Sequence, residues 1–181
     1  ANSQPIFTAV SAAGNAVWLS GNSVRAYQVG TTGAIRPGLD SNGRLYGSAA
    51  AGEALNRIIG ATRGTHLFEA DHAAVSARTI EAEAALRNAL RPPSDAAFGT
   101  PPASGAYNAN NDPKLRYLSP LNDAMAPNAL AQQFQIVARM IDAAQTGAVG
   151  ARRQVFFVSL GGCDTPDTQH RNPAALLARV A

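Results

Sequence analysis

The sequence predicts an α/β protein with a central, mostly parallel sheet and flanking helices. The first observation is a nearly unbroken apolar run over residues 155–160, which is typical of a central strand buried on both faces. The second is the order of elements around this run. A helix with one apolar stripe precedes it, and a Gly-Gly turn and another helix follow it. This alternation of helix and strand is the pattern of an α/β fold.

The first thirty residues are predicted to form short strands separated by turns. The segments are 6–10, 16–19 and 24–29, and the last of them alternates apolar and polar residues like a strand with one buried face. Residues 30–47 contain five glycines and Pro37, and this composition predicts a loop.

Four helices are predicted, over residues 48–61, 67–90, 127–145 and from 172 onward. Ser48 is a suitable cap for the first, and the two prolines after Arg91 end the second because proline lacks an N–H. Pro127 suits the first position of the third helix. The apolar residues of the third helix form one stripe: Leu130, Phe134, Val137 and Ile141.

Residues 91–126 are predicted to be a loop excursion rich in Pro, Gly and Asn, within a single domain that spans residues 1–181. They hold six of the eleven prolines. A connection of this length is either a mobile surface excursion or an ordered lid. Residues 108–112 are rich in oxygen atoms but lack the alternating carboxylates of a calcium loop, so they are interpreted as a turn.

Composition argues against several classes of protein. The 181 residues include 14 Arg, one Lys and 12 acids, and the basic residues are scattered, so no nucleic-acid surface is expected. The single cysteine, Cys163, leaves no disulfide framework and no cysteine-based zinc cage. No apolar run approaches the ~18 residues of a membrane span, and no leader opens the chain. The 38 alanines and the preference for Arg over Lys indicate a GC-rich bacterial source.

The glycine-rich turn after the last strand is the candidate site. Ligands of α/β sheets bind outside the carboxyl ends of the strands, and Gly161 and Gly162 let the backbone approach a ligand closely. Asp164 and His170 follow and could ligate a divalent metal such as Zn²⁺, Mn²⁺ or Mg²⁺. The alternative is that Asp164 caps the turn by accepting backbone N–H groups. Cys163 is interpreted as a small buried side chain, and no catalytic residue or nucleotide-cofactor motif is assigned.

The segment 152–162 with Asp164 and Thr165 resembles the strand and turn of the domain-of-unknown-function 1501 family. These are exported bacterial proteins related to the alkaline phosphatase and sulfatase superfamily. Residues 132–141 and 7–21 are similar to other parts of the same family. The resemblance implies a three-layer alkaline-phosphatase-like fold, here partial because the chain covers only the middle of the family's length. It also implies metal ligands at strand ends and twin-arginine export to the periplasm or the cell exterior.

The chain departs from the family within this turn. The family's turn usually reads Gly-Gly-Phe-Asp-Thr-His, and here Cys163 replaces the Phe and Pro166 replaces the His. Proline has no ligand atom, so Asp164 alone carries over by position. His170 lies four residues beyond Pro166 and could substitute only if the turn folds back.

Three hypotheses follow for the function. The first is a metal-dependent hydrolase of phosphate or sulfate esters with a degenerate site. The second is a non-catalytic exported structural or accessory protein that kept the fold and lost the site. The third is a fragment whose missing segments complete the site, with uncovered apolar surface on residues 127–145 and 155–160 that promotes association.

Overall fold

The computed structural model describes residues 2–3, 5–14, 17–19, 21–22, 24, 26–34, 39–40, 42–60, 66–163 and 172–181. They form a mixed α/β protein with a three-stranded parallel sheet and flanking helices. The elements in chain order are β1 (Ala9–Ser11), β2 (Tyr27–Gln28), α1 (Ala49–Gly60), α2 (Leu67–Ala89), β3 (Arg116–Ser119), β4 (Ala124–Pro127), α3 (Ala129–Gln145), β5 (Val155–Phe157) and α4 (Asn172–Ala178). The chain divides into two compact units, residues 1–33 with 90–181, and residues 34–89.

The parallel sheet has the order β2-β1-β5. All three residues of β1 are buried, and Val10 pairs with Tyr27 on one side and with Phe156 on the other. The rings of Phe7 and Tyr27 meet edge to face, with centroids 5.4 Å apart. The centre of the sheet is therefore β1, a strand of three residues from the start of the chain.

The prediction that residues 155–160 form a central strand buried on both faces is wrong. Among the described residues β5 pairs with β1 alone and ends at Phe157, and Val155 is 58 % exposed. An apolar run shows that a segment favours extended backbone, but it does not specify how many strands lie beside it.

The predicted strand at residues 16–19 is also wrong over its described part. Residues Val17–Leu19 form a 3₁₀ turn, and a second 3₁₀ turn covers Pro5–Phe7. The side chains of Val17 and Trp18 are 75 % and 88 % exposed. These apolar side chains occupy a turn at the surface, so the pattern that favoured a strand here reflects composition alone.

The predicted helices are confirmed to within a few residues. Ser48 Oγ accepts a hydrogen bond from Ala51 N at the start of α1. The cap of α3 is Asn128, whose side-chain oxygen accepts from the backbone at the first turn, whereas Pro127 ends β4. Two residues of the predicted apolar stripe, Phe134 and Ile141, are 54 % and 40 % exposed, while others on α3 are fully buried. No helix among the described residues is long and apolar enough to cross a membrane.

The predicted loop over residues 91–126 contains regular structure that the sequence did not reveal. A 3₁₀ turn covers Pro113–Leu115, and β3 and β4 form an antiparallel hairpin in which Arg116 pairs with Pro127 and Ser119 with Ala124. Neither strand contains a β-branched residue, and Tyr117 is the single residue in the two with a strong strand preference, so composition gave little signal of a hairpin.

The end of α4 is attached to the hairpin and to the start of α3. Asn128 Nδ2 donates to Arg179 O at 2.8 Å, and Arg179 Nε donates to the Tyr117 hydroxyl at 3.2 Å. The Arg179 guanidinium also lies over the Tyr117 ring, 5.3 Å from its centroid. A helix of seven residues is marginal by itself, so these contacts hold its end in place.

Candidate functional site

The carboxyl ends of the three parallel strands lie together, at Ser11 of β1, Gln28 of β2 and Phe157 of β5. We call this the sheet edge. Val29 N donates to Ser11 O at 2.9 Å, and Ala12 N donates to Phe157 O at 3.0 Å. The Ser11 side chain is fully buried, and its Oγ accepts from Ala13 N at 3.3 Å. In the sequence, Gly161 follows Phe157 of β5 by four residues, and ligands of parallel sheets bind outside the carboxyl ends of the strands.

The chain beyond β5 is held by a side chain of α3. Ser159 N donates to Gln133 Oε1 at 2.8 Å, and Gln133 Nε2 donates to Ser159 O at 2.9 Å. Gly161 and Gly162 of the predicted turn follow two residues later. Gly162 has φ of +92°, a conformation that residues with a Cβ rarely adopt, so this position favours glycine. Residues 161–163 form no regular turn within the described part of the chain, and the tight turn stays a prediction.

Cys163 is exposed, which contradicts its interpretation as a small buried side chain. Its thiol lies 3.9 Å from Leu160 O. The position lies six residues beyond the end of β5, and its neighbours Gly161 and Gly162 are exposed as well. A lone cysteine gives no local signal that separates these two environments.

Asp164 and His170 lie outside the described residues, as do Thr165 and Pro166. Within the described part of the chain, no group of three or more His, Cys, Asp or Glu side chains could hold a metal ion. The described residues of the sheet edge and its turn offer the buried hydroxyl of Ser11 and the exposed thiol of Cys163. The assignment of the Asp164 carboxylate and the His170 imidazole as metal ligands therefore stays a prediction.

A buried polar cluster, which sequence reasoning missed, is formed by the buried side chains of Asp112 and Gln135 with the half-buried Thr100 and Tyr107. Asp112 is 3 % exposed and accepts four hydrogen bonds, from Thr100 N and Oγ1 at 2.8 Å each, the Tyr107 hydroxyl at 2.7 Å and Lys114 N at 3.0 Å. Burial acts to raise the pKa of Asp112, but these hydrogen bonds outweigh it and hold the pKa below its ordinary value. Burial, with the bond to Asp112, raises the pKa of Tyr107.

Gln135 of α3 joins this cluster to the irregular chain beside it. Its Nε2 lies 2.8 Å from the Tyr107 hydroxyl, 3.0 Å from Pro93 O and 3.3 Å from Phe98 O. A Cβ at Gly99 would lie 2.2 Å from Pro93 O, so this position requires glycine. Since both oxygens of Asp112 accept bonds from within the protein, the cluster fixes the segment and offers no reactive group.

The predicted turn at residues 108–112 is confirmed. Asn108 Oδ1 accepts from Asn110 N at 3.0 Å, and Asn108 O accepts from Asn111 N at 3.0 Å. The asparagines therefore act through local side-chain and backbone hydrogen bonds, as turn residues do.

Arg139 of α3 is a buried cation beside the start of this segment. It is 4 % exposed, and its Nε donates to Arg91 O at 2.8 Å. Its buried Nη1 has no hydrogen-bond partner among the described residues, and burial lowers its pKa. Arg91 in turn pairs with Asp95 at 2.7 Å and with Asp142 at 3.5 Å. These contacts attach Arg91, at the start of residues 91–126, to α3.

The unit of residues 34–89 has a cavity of about 220 Å³ between the 39–43 loop, α1 and α2. Glu53 of α1 and Glu83 of α2 line it, and Glu83 pairs with Arg87 at 3.3 Å. A Cβ at Gly52 would lie 2.4 Å from Gly43 O, so the loop packs directly against α1. The described residues that line it do not include the predicted metal ligands, Asp164 and His170, which lie outside the described part of the chain. The lining comes from three separate segments of the chain.

Comparison with protein-family models, with curated proteins and with solved structures finds no match for this chain.

Proposed function

We propose that the chain is part of a metal-dependent hydrolase of phosphate or sulfate esters, related to the alkaline phosphatase superfamily and to the domain-of-unknown-function 1501 family. The observation that carries the proposal is the course of the chain after β5. Gly161 and Gly162 follow the carboxyl end of a parallel strand by four and five residues, Gly162 has a positive φ, and Asp164 comes two residues later in the sequence. This is the position at which open α/β sheets hold their ligands.

In this proposal Asp164 is the carboxylate ligand of a Zn²⁺, Mn²⁺ or Mg²⁺ ion, and His170 replaces the histidine that the family has at Pro166. The bound metal would polarise the ester and activate a nucleophile. The chain's own contribution is to fix the backbone that leads to Asp164, through the ladder between β1 and β5 and the contact between Gln133 and Ser159. The proposal also includes export to the periplasm or the cell exterior, in keeping with the family resemblance.

The test of the metal site is the substitution Asp164→Ala. We expect it to lower the content of bound divalent metal, because a carboxylate ligand is removed, while Asp167→Ala in the same stretch serves as a matched control. Elemental analysis of the dialysed proteins measures the metal directly. Equal metal content in the parent and in Asp164→Ala would overturn the metal site.

A second candidate is a non-catalytic exported protein that kept the fold and lost the site, and Pro166 is the observation that favours it. The substitution Pro166→His restores the ligand that the family has at this position. A gain in metal affinity, measured by calorimetric titration, would indicate that the rest of the site is assembled. Unchanged affinity would favour the non-catalytic protein.

We also propose that the chain associates through apolar surface. Phe134 on α3 and Val155 on β5 are each more than half exposed, which accords with the third hypothesis. Sedimentation velocity over a range of concentrations measures association. A sharp monomer with a cooperative thermal transition would contradict this proposal.

A further inference from the structure

Gln133 and Ser159 form a pair of hydrogen bonds in which one side chain replaces a strand. The amide oxygen of Gln133 accepts from Ser159 N at 2.8 Å, and its amide nitrogen donates to Ser159 O at 2.9 Å. A single primary amide thereby satisfies both backbone groups of one residue, as a neighbouring strand does within a ladder. Ser159 is itself exposed, so burial of its side chain does not hold it in place.

This contact lies beyond the last backbone hydrogen bond between β1 and β5. The ladder between β1 and β5 ends with the bond from Ala12 N to Phe157 O. Ser159 comes two residues later, and Gly161 two residues after that. The direction in which the chain enters the glycine turn is therefore set by α3 through Gln133.

The helix that carries Gln133 is well fixed. Asn128 caps its first turn, and Ile136 and Met140 on its buried face are 0 % exposed. The neighbouring glutamines of α3 bind to other parts of the chain. Gln132 donates to Asn110 Oδ1 at 2.9 Å, and Gln135 donates to Pro93 O and to the Tyr107 hydroxyl. Gln133 is the member of this group that reaches the chain after β5.

We propose that Gln133 is a positioning residue, which fixes the chain between β5 and Gly161 and thereby the start of the stretch of chain that carries Asp164. The consequence at Asp164 rests on the proposed function, whereas the positioning itself can be measured without any metal. The chain offers its own probe for this measurement. Cys163 is its single cysteine, is exposed and lies next to Asp164, so a nitroxide label attaches there without further mutation.

The experiment compares the mobility of the nitroxide on Cys163 in four proteins by continuous-wave EPR. Gln133→Met keeps the length of the side chain and loses both hydrogen bonds, so we expect a narrower spectrum from a faster label. Gln133→Glu keeps an acceptor for Ser159 N and loses the donor, so we expect intermediate mobility. Gln132→Met, the matched control on the same helix, should leave the spectrum of the parent unchanged. If Gln133 only filled space, Gln133→Met would give the same spectrum as the parent, and that result would overturn the proposal.

A second measurement uses the unlabelled proteins and Mn²⁺, with free Mn²⁺ followed by its EPR signal. We expect Gln133→Met to weaken Mn²⁺ binding measurably, but by less than the roughly tenfold loss typical when a direct hydrogen-bond partner of a metal ligand is removed, because its bonds are to Ser159, five residues before Asp164. Increased label mobility with unchanged Mn²⁺ affinity would overturn the link to Asp164. If the parent binds no Mn²⁺, or Asp164→Ala binds it equally well, the proposed function fails, and label mobility still decides the role of Gln133.

Discussion

The sheet edge and the buried polar cluster hold their parts of the chain by different means. At the sheet edge, strands of two or three residues are joined by backbone hydrogen bonds, and Val155 of β5 is 58 % exposed. In the cluster, the buried side chains of Asp112 and Gln135 bind an irregular backbone between residues 93 and 114. The comparison teaches that well-fixed backbone in this protein does not coincide with regular secondary structure. Buried side-chain hydrogen bonds fix the irregular segment, while the regular strands have shallow burial on one side.

The substitution that should affect this comparison most is Asp112→Ala. It leaves the Tyr107 hydroxyl and the N–H groups of Thr100 and Lys114 without their acceptor, in hydrogen bonds that are partly buried. We expect the free energy of unfolding to fall by about 3–4 kcal/mol. Each buried group without a partner costs about 1–3 kcal/mol, three donors lose their acceptor, and water that enters the site reduces the total. Chemical denaturation measures the change, with the exposed Asp71→Ala as control. A loss below about 1 kcal/mol would show that the cluster contributes little.

The next largest effect should separate the central strand β1 from its neighbour β5. Val10 of β1 is 0 % exposed and Val155 of β5 is 58 % exposed. We expect Val10→Ala to cost about 2 kcal/mol through lost burial and a cavity, and Val155→Ala to cost less than about 1 kcal/mol. Equal losses from the two substitutions, measured by the same denaturation experiment, would contradict the asymmetry of the sheet.

The smallest effect is the pH dependence that Asp112 contributes. The folded pKa of Asp112 lies below the ordinary value of about 3.9, so its ionised form adds stability above that pH. This stability is lost as the pH falls through the lowered pKa. We expect the difference in the free energy of unfolding between the parent and Asp112→Asn to be largest near pH 6 and to shrink toward pH 2. A difference that is constant over this range would assign the pH dependence to other groups.

Helices were predictable from this sequence because their signals are local. Ser48 caps α1 at three residues' distance, and the apolar repeat of α3 lies within one segment. The position of β5 was not predictable, because Ala9 pairs with Val155 across most of the chain and no local pattern encodes that pairing. The fold class was therefore accessible from the sequence, and the order of strands was not.

The same difference between local signals and distant contacts applies to the candidate site. The need for glycine at residue 162 was predictable from the Gly-Gly pair, and its φ of +92° agrees with it, while the tight turn itself stays a prediction. The role of Gln133 was not, because Gln133 and Ser159 are 26 residues apart and glutamine on a helix carries no signal of a distant partner. The same holds for Gln135 and Pro93, 42 residues apart. Asp164 and His170 stay predictions.

The attachment of Arg179 to Asn128 and Tyr117 has a consequence for the entropy of ligand binding. Residues 160–171 run from the Gln133–Ser159 contact to α4, and both ends of this span are thereby tied to the same unit. The entropy of closing a loop grows with the logarithm of its length, so fixed ends restrict the chain between them before any ligand binds. In the proposed function, an ion held by Asp164 and His170 would then close only the loop of a few residues between them.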